Sequence, residues 1–374
     1  MKIDRLQERD YVWKVSLSVG DETNVSRLWI FEHQMRLGSA VLKMGGIGGV
    51  GTNEKHRMNG YAARVMEDST ALMVEHGFDI AMLFGIANFY PKFGYATALP
   101  ESRLTFKTAD ACEAVQSYAV RKFEMRDASK MLEIYAANNA ERTGTLVRDA
   151  ARWRGFKMGS SFREEALPFV VLDNADEVIG YFVCDDTEKH CTLAEIGFQT
   201  RSILETIIHF LGERAARMGE EEIECFMPAD HEFAVFCRRY GGRTAVSHPK
   251  NSGGMMRIIN QSSTFDRIQG ELEKRLQNSV QHAQWSGKIR IMTELGEDRL
   301  EINRGNVEHT SVDKTDNAYR LEIQQDKLIQ LMMGRRSIGD LAVDTDVLVD
   351  AEIIPVLETL FPMNIPYVWW PDRF

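Results

Sequence analysis

Five glycines fall within one short segment, Gly45–Gly51, and an amphipathic helical pattern follows soon after. Glycine lets a strand bulge, or brings its backbone close to a ligand. The helical pattern begins after Gly60 and stops at Gly77, and the next residues, Asp79–Phe84, have the composition of a strand. The order predicts a strand, a glycine-rich turn, a helix and a second strand.

The turn before this helix has the features of an anion site. The first N–H groups of a helix have no internal partner, and the helix dipole adds partial positive charge there. Gly60 permits close approach of a ligand, and Arg57 adds a charged donor. The spacing Arg57-x-x-Gly60-x-Ala62 therefore predicts a pyrophosphate cradle. A glycine-rich turn without a ligand is the alternative, because this spacing arises by chance in roughly one such chain in three.

Composition narrows the choice of partners. A chain of 374 residues is expected to form two or three domains, and its net charge of −10 argues against nucleic-acid binding. The acidity fits a cationic substrate, although it also serves solubility. No apolar run is long enough to span a membrane and the first residues lack an apolar targeting segment, so we expect a cytoplasmic protein with no membrane partner. The five cysteines and the histidines show no metal-ligand spacing.

The order of predicted elements occurs twice along the chain. It runs once before about residue 117 and again from 118 to 260, where Ala128–Asn138 and Ile203–Met218 have helical spacing. The last third differs, with short alternating segments and a helical segment, Val347–Leu360, that Pro355 is expected to kink or break. The pattern predicts an α+β (mixed α/β) fold with three domains, at residues 1–117, 118–260 and 261–374.

An aromatic element, Phe89–Tyr95, lies downstream of the predicted cradle. The two together, in this order, resemble the GNAT superfamily of N-acetyltransferases. A closer resemblance, to the enhanced intracellular survival (Eis) family, rests on the order of the three domains, the chain end at Phe374, and the strings His56-Arg57-x-x-Gly60 and Tyr90-x-x-Phe93-Gly94-Tyr95. It implies two tandem GNAT-like domains with mixed central sheets, the second without a cofactor site, and a C-terminal sterol-carrier-protein-like α/β domain.

The resemblance also implies roles for individual residues, with acetyl-CoA as co-substrate and no metal. Tyr90 is implied as the general acid that protonates the CoA thiolate, with Tyr95 as an alternative donor. The terminal carboxylate of Phe374 is implied as the base, and simple aromatic packing is the alternative for that end of the chain. The residues implied to hold the cofactor are Val50, Gly51, Thr52, Arg57, Met58, Asn59, Gly60, Tyr61, Ala62, Ala63, Gly85 and Ile86.

The activity implied is acetyl transfer to a primary amine of a cationic small molecule or lysine-containing peptide, aminoglycoside-like acceptors included, by a homohexamer. A non-catalytic acyl-CoA-binding or sterol-carrier-like sensor protein is the alternative. Two departures from the family pattern bear on the site. Residues 11–18 and 27–33 resemble strands of a hairpin where the family has helices of the acceptor pocket, so a different acceptor or a more open pocket is expected. Met58 and Asn59 stand where arginines are common, so weaker binding of CoA is expected, with the backbone donors retained.

Overall fold

The computed structural model of the protein describes residues 1–310 and 317–374. The strands in these ranges are β1 (Lys2–Arg9), β2 (Val12–Val19), β3 (Glu22–Leu37), β4 (Ala40–Thr52), β5 (Ile80–Gly85), β6 (Ala96–Thr97), β7 (Glu101–Lys107), β8 (Ala119–Lys122), β9 (Ala166–Leu172), β10 (Val178–Asp185), β11 (Thr192–Phe198), β12 (Glu222–Cys225), β13 (Arg243–Ser247), β14 (Gly253–Ile258), β15 (Gly287–Thr293), β16 (Gly296–Asn303), β17 (Asn306–Thr310), β18 (Tyr319–Glu322) and β19 (Leu348–Val349). The α-helices there are α1 (Tyr61–Glu75), α2 (Thr108–Cys112), α3 (Ala128–Asn138), α4 (Leu204–Met218), α5 (Glu232–Phe236), α6 (Gln261–Gln277), α7 (Gln325–Met332), α8 (Ile338–Leu341) and α9 (Ile354–Leu360).

The first sheet has the strand order β1-β2-β3-β4-β5-β14-β6. Strands β1 to β4 pair antiparallel with their neighbours, so the hairpin predicted at residues 11–18 and 27–33 is present as β2 and β3. Strands β4 and β5 are parallel, and α1 makes the crossover that a parallel pair requires. The predicted strand–turn–helix–strand unit is confirmed.

The second sheet repeats this arrangement. Read from β8, its order is β8-β9-β10-β11-β12-β7-β13, again seven strands in which the fourth and fifth are parallel. Helix α4 makes the crossover between them, as α1 does in the first sheet. The mixed α/β architecture predicted from the recurring pattern is confirmed.

The two sheets exchange one strand with each other. The sixth position of the first sheet holds β14, from the second half of the repeat, and the sixth position of the second sheet holds β7, from the first half. Pairing is extensive on both sides of the exchange: β14 joins β5 from Gly253 to Ile258, and β7 joins β12 and β13. The sequence pattern did not predict this exchange. The boundaries 117/118 and 260/261 stay a prediction.

The last third contains a five-stranded sheet of order β17-β16-β15-β18-β19 with α6 to α9 packed around it. The single helix predicted over Val347–Leu360 is wrong in its first half, which contains β19 and a short 3-10 helix, Ala351–Ile353. Pro355 lies in the first turn of α9, where its missing N–H costs nothing, so it opens the helix instead of breaking it. The likeness of this unit to a sterol-carrier protein stays a prediction.

The first sheet is covered on both faces. Side chains of α1 pack on one face, with Ile47 and Leu83 from the sheet. The opposite face meets α6 and α7 through residues such as Met44 and Met82, and Phe374 packs at the edge of that same cluster. Alternate residues of each strand therefore serve two different cores.

Candidate active site

Strands β4 and β5 part from each other towards their carboxyl ends. Their parallel pairs run from Met44–Ile80 to Ile47–Leu83 and stop there, while β4 continues to Thr52 and β5 to Gly85. The strand backbone beyond the last pair is left without its ladder partner on this side. Such a gap exposes N–H and C=O groups to which a ligand can bind.

A bulge in β4 lies at the mouth of this gap. The register between β3 and β4 shifts between Arg27 and Trp29, and Gly49 has a positive φ of 63°. A β-carbon on Gly49 would lie 2.6 Å from the Trp29 ring, so only glycine fits. The predicted cofactor residues Val50, Gly51 and Thr52 follow directly, and the Ser26 hydroxyl fixes the last of them through Thr52 Oγ1 at 2.8 Å.

The predicted cradle is open to solvent. Gly60 adopts the left-handed conformation, φ 73°, and no side chain caps the first turn of α1. The first intrahelical bond runs from the Arg64 N–H to the Gly60 carbonyl, so the N–H groups of the three residues 61–63 have no helical acceptor. Met58 is fully exposed, and Arg57 makes a 3.5 Å pair with exposed Glu54. The cradle residues therefore present free donors at one helix end.

The corresponding helix of the second sheet, α4, is preceded by a capped turn. Before α4 a 3-10 helix, Arg201–Ile203, replaces the open turn, and Thr200 caps it by accepting a bond from the Ser202 N–H. The helix end thus supplies its own acceptor. That the second unit lacks a cofactor site stays a prediction.

Tyr90 lies beside the end of β5, where glycine makes room for it. A β-carbon on Gly85 would approach the Tyr90 ring to 2.5 Å, so the predicted cofactor residue Gly85 contacts the tyrosine. Burial raises the pKa of Tyr90, which favours the protonated phenol. Tyr95 is more deeply buried, and its hydroxyl has no partner among the described residues. The predicted cofactor residue Ile86, which follows Gly85, is exposed.

Phe374 inserts between β3, β4 and β5. A β-carbon on Gly46 would lie 2.6 Å from its ring, and one on Gly48 would lie 3.3 Å from its carboxyl carbon. The ring stacks on His33 with 5.3 Å between centroids and meets Phe84 edge-on at 5.8 Å. The carboxyl group of residue 374 therefore lies against the β4 backbone at the start of the gap.

Tyr90 and Phe374 approach the gap from opposite sides. Gly46, Gly48 and Phe84, which contact Phe374, point to one face of the sheet, since successive side chains of a strand alternate. Gly85, which contacts Tyr90, belongs to the other face. A group held in the gap would have the phenol on one side and the carboxyl group on the other.

A buried charge network holds the last residues in place. Arg148 donates two bonds to Glu195, at 2.7 and 2.5 Å, and a third, at 2.9 Å, to Asp372. The hydroxyls of Tyr135 and Tyr181 complete the network, at 2.9 Å from Asp372 and 2.7 Å from Glu195 respectively. Burial raises the pKa of Glu195, while the Arg148 charge opposes that rise. The second unit thus anchors the segment that carries Phe374.

Arg373 also anchors the end of the chain, through a contact with β7. Its guanidinium pairs with Glu101 on β7 at 3.0 Å and lies over the rings of Trp370 and Phe84, at 3.8 and 4.5 Å from their centroids. Such cation–π contacts contribute about 0.5–2 kcal/mol each.

Sequence reasoning missed four residues of this site: His33, Arg148, Glu195 and Asp372. Only Glu195 gives a local signal, because a lone carboxylate inside the apolar strand β11 requires a buried cationic partner. The identity of that partner depends on tertiary contacts.

Comparison with known proteins agrees with this geometry. Residues 4–98, which include the gap, the cradle and Tyr90, match the family described as acetyltransferase (GNAT) domain. Residues 4–98 are a GNAT acetyltransferase domain. No curated protein matches the chain. A domain of this kind takes its acyl group from acyl-CoA and passes it to an amine, so the chain is an acyltransferase.

Solved structures show the same fold over almost the whole chain. A conserved protein from Enterococcus faecalis described as a probable N-acyltransferase is 15% identical, with TM-score 0.78, over 97% of this chain and 90% of its own. A GCN5-related N-acetyltransferase from Kribbella flavida is 18% identical, with TM-score 0.73, over 96% and 88%. Eis1 from Mycobacterium abscessus is 16% identical, with TM-score 0.64, over 98% and 92%. At these identities the likeness is one of fold.

The described residues contain neither a metal-binding cluster nor a membrane-spanning helix. No group of His, Cys, Asp and Glu side chains in residues 1–310 and 317–374 is arranged to hold a metal ion. No helix in the same ranges combines the length and apolarity needed to cross a membrane.

Proposed function

We propose that this protein transfers an acetyl group from acetyl-CoA to a primary amine. The observation that carries the proposal is the arrangement at the gap between β4 and β5, where Tyr90 and the carboxyl group of Phe374 stand on opposite faces of the sheet. Acyl transfer to an amine needs a base for the nucleophile and an acid for the leaving thiolate, and two such groups on opposite sides of a thioester meet both needs.

The donor would bind along β4 and at the end of α1. The unpaired backbone of Val50–Thr52 would hold the pantetheine arm, and the free N–H groups of 61–63 would hold the pyrophosphate, with Arg57 as the charged donor. Backbone N–H groups at the bulge of Gly49 would stabilise the negative charge that the thioester oxygen gains. Thus the domain's own backbone supplies most of the donors for the cofactor.

The proposed reaction then has three steps. The carboxylate of Phe374 takes a proton from the ammonium form of the acceptor, and the free amine attacks the thioester carbonyl. The tetrahedral intermediate collapses, the C–S bond breaks, and Tyr90 gives its proton to the departing CoA thiolate. The nitrogen loses its second proton to water, and proton exchange with solvent returns Tyr90 and the Phe374 carboxylate to their starting states. The products are an N-acetylated amine and CoA. The raised pKa of Tyr90 keeps the phenol protonated until the C–S bond breaks.

A polycationic acceptor, which the acidity of the chain would favour, fits the cavity beside Phe374 poorly. Arg9, Arg154 and Lys157 line this cavity without a carboxylate within 4.0 Å in the described part of the chain, and they disfavour a polycation. Small-molecule amines and lysine side chains are both proposed as acceptors of the acetyl group.

Release of CoA from acetyl-CoA tests the function directly. Wild-type protein should release thiol only when an amine is present, and mass spectrometry should find the amine heavier by one acetyl group. Tyr90→Phe serves as the matched low-activity variant. Binding of acetyl-CoA without amine-dependent thiol release would contradict the proposal and favour the acyl-CoA-binding alternative.

A further inference from the structure

A cavity of about 910 Å³ lies on the Phe374 side of the first sheet. One wall comes from the turn between β1 and β2, through Tyr11, and from β3, through Phe31 and His33. The other comes from the segment 146–157 of the second unit and from Asp372. Its size is that of a pocket for a small organic ligand, for which 300–1,000 Å³ is about usual.

The cavity lies next to Phe374, which carries the proposed base. Phe31 and His33 line it, and their rings also contact the ring of Phe374, at 6.4 and 5.3 Å between centroids. A molecule in the cavity would therefore lie on the same face of the sheet as the carboxyl group. The cradle at α1 is on the opposite face, which leaves this side free for an acceptor.

Several charged residues of the lining already have partners. Arg148 is saturated by Glu195 and Asp372. Arg152 pairs with Asp149 at 3.1 Å and lies over the Tyr11 ring at 3.3 Å.

Glu32, a further lining carboxylate, is held by Lys43, whose ammonium lies 3.2 Å away. These groups form the fixed wall of the cavity and leave little charge for a ligand.

The remaining lining charges are mainly positive. Arg9, Arg154 and Lys157 line the cavity, and none has a carboxylate within 4.0 Å in the described part of the chain. The remaining lining carboxylate, Asp10, likewise has no cation within that distance there. Three unpaired cations against one such carboxylate make the cavity basic, on a chain whose net charge is −10.

The pKa of His33 is affected by the positive charge of Lys157. Its pKa is lowered to about 4, first by burial and then by the positive charge of Lys157, while Asp372 acts in the opposite direction. The imidazole is therefore neutral at physiological pH and adds no charge of its own. Lys157 is near enough to the reaction end of the cavity to act on a group that touches Phe374.

We propose that this cavity selects an acceptor with two ends, a primary amine that faces Phe374 and an anionic group, such as a carboxylate, that faces Arg154 and Lys157. The proposal rests on the acetyl transfer proposed above and specifies its substrate class. A polycationic amine would meet like charges in the cavity, whereas an amino acid or an amino-carboxylate would meet complementary ones.

Matched amines that differ in one group provide the test. The pairs are ε-aminocaproate with ε-aminocaproamide and tranexamate with its carboxamide, and cadaverine is the dicationic comparison. Wild-type protein should acetylate each carboxylate with kcat/KM about tenfold above its amide, and cadaverine should be poorer than either. The Arg154→Gln/Lys157→Gln variant should bring the carboxylate-to-amide ratio to about one.

A second double variant controls for net charge. Lys189→Gln/Arg217→Gln removes the same two charges from exposed positions on the second unit that do not line the cavity, and it should keep the wild-type ratio. Amides or cadaverine acetylated as well as the carboxylates would overturn the substrate class and leave the acetyl transfer standing. An unchanged ratio in Arg154→Gln/Lys157→Gln would also overturn it. No thiol release with any amine would overturn the proposed function, and this inference with it.

Discussion

The carboxyl carbon of Phe374 lies against Gly48, so close that a β-carbon on that glycine would be 3.3 Å from it. The contact joins residues far apart in sequence at the point where β4 leaves β5. It depends on bare backbone, since Gly46 beneath the ring has even less room. The glycines that suggested a ligand-binding strand thus also make room for the Phe374 side chain and carboxyl group.

Gly46→Ala should expel the Phe374 ring. The new methyl group would lie 2.6–2.9 Å from three ring carbons, and overpacking of this kind costs about 1–3 kcal/mol. Amine-dependent turnover should fall more steeply than thermal stability, because the carboxyl group moves with the ring. The control is Gly270→Ala in α6, where a β-carbon meets nothing within 4 Å, and it should stabilise by about 0.5–1 kcal/mol. Equal turnover in both variants would argue against the proposed base.

Two glycines appended after Phe374 should lower kcat/KM about 100-fold for an ordinary primary amine at neutral pH. The reason is that the carboxylate moves away from the gap. Hydroxylamine, which is already unprotonated at neutral pH, should lose much less. The same two glycines added before Met1, ahead of exposed strand β1, should change neither rate. If both acceptors suffered equally, a general loss of structure would explain the result better than loss of a base.

Tyr90→Phe and Tyr95→Phe should separate the two tyrosines. The first removes the proposed acid, so turnover should drop about 100-fold while the Kd for CoA stays within twofold. The second removes a buried hydroxyl that has no partner in the described residues, so it should keep turnover and raise the free energy of unfolding by about 1 kcal/mol. Steady-state kinetics, calorimetric titration with CoA and urea unfolding measure these effects. The reverse order of activities would make Tyr95 the donor.

Arg148→Met should destabilise the protein by about 3–5 kcal/mol, because it leaves Glu195 and Asp372 buried without their cation. Asp372→Asn keeps the Arg148–Glu195 pair, so it should cost less stability and act mainly on kcat through a looser Phe374. Arg201→Met, which removes an exposed pair with Glu232, should leave the free energy of unfolding close to that of the wild type. Urea unfolding and initial rates of the three variants check this. An Arg148→Met protein as stable as Arg201→Met would refute the anchoring role.

His33 should make stability depend on pH in mildly acid solution. Its folded pKa of about 4 lies below the ordinary value of 6.5, so the unfolded chain binds the extra proton between those values. Its contribution is complete above pH about 6.5 and is lost as pH falls towards 4, by up to about 3 kcal/mol. His33→Phe keeps a ring against Phe374 and should flatten this part of the curve. His231, whose pKa is lowered to about 3 by burial, contributes equally to both proteins. Parallel curves for wild type and variant would contradict the prediction.

Local patterns predicted much of the fold. Helix α3 has the bounds expected from its spacing, Ala128–Asn138, and Gly77 and Gly219 end their helices in left-handed conformations. Tyr90, predicted from a motif, lies at the gap, because the motif encodes a local turn closed by bonds from the Phe93 and Gly94 N–H groups to the Tyr90 and Pro91 carbonyls.

Features that depend on distant contacts were not predictable. The patterns of β7 and β14 identify strands, but nothing in them says which sheet each joins. Arg148 looks like any loop arginine until Glu195 and Asp372 come to it from other parts of the chain. Proline can begin a helix or interrupt one, and only its position within the turn distinguishes the two effects. The sequence pattern therefore did not show that Pro355 opens α9.

The exchange of β7 and β14 between the two sheets affects how this protein can be divided into fragments. A fragment ending near residue 117 would lack β14 and would expose the edge of β5, while its own β7 would have no sheet to join. The complementary fragment would have the mirror-image defect. Each piece alone is thus a poor folding unit with an unprotected edge that invites aggregation. Together the two pieces hold every strand both sheets need, so co-expressed fragments should reassemble where single ones precipitate.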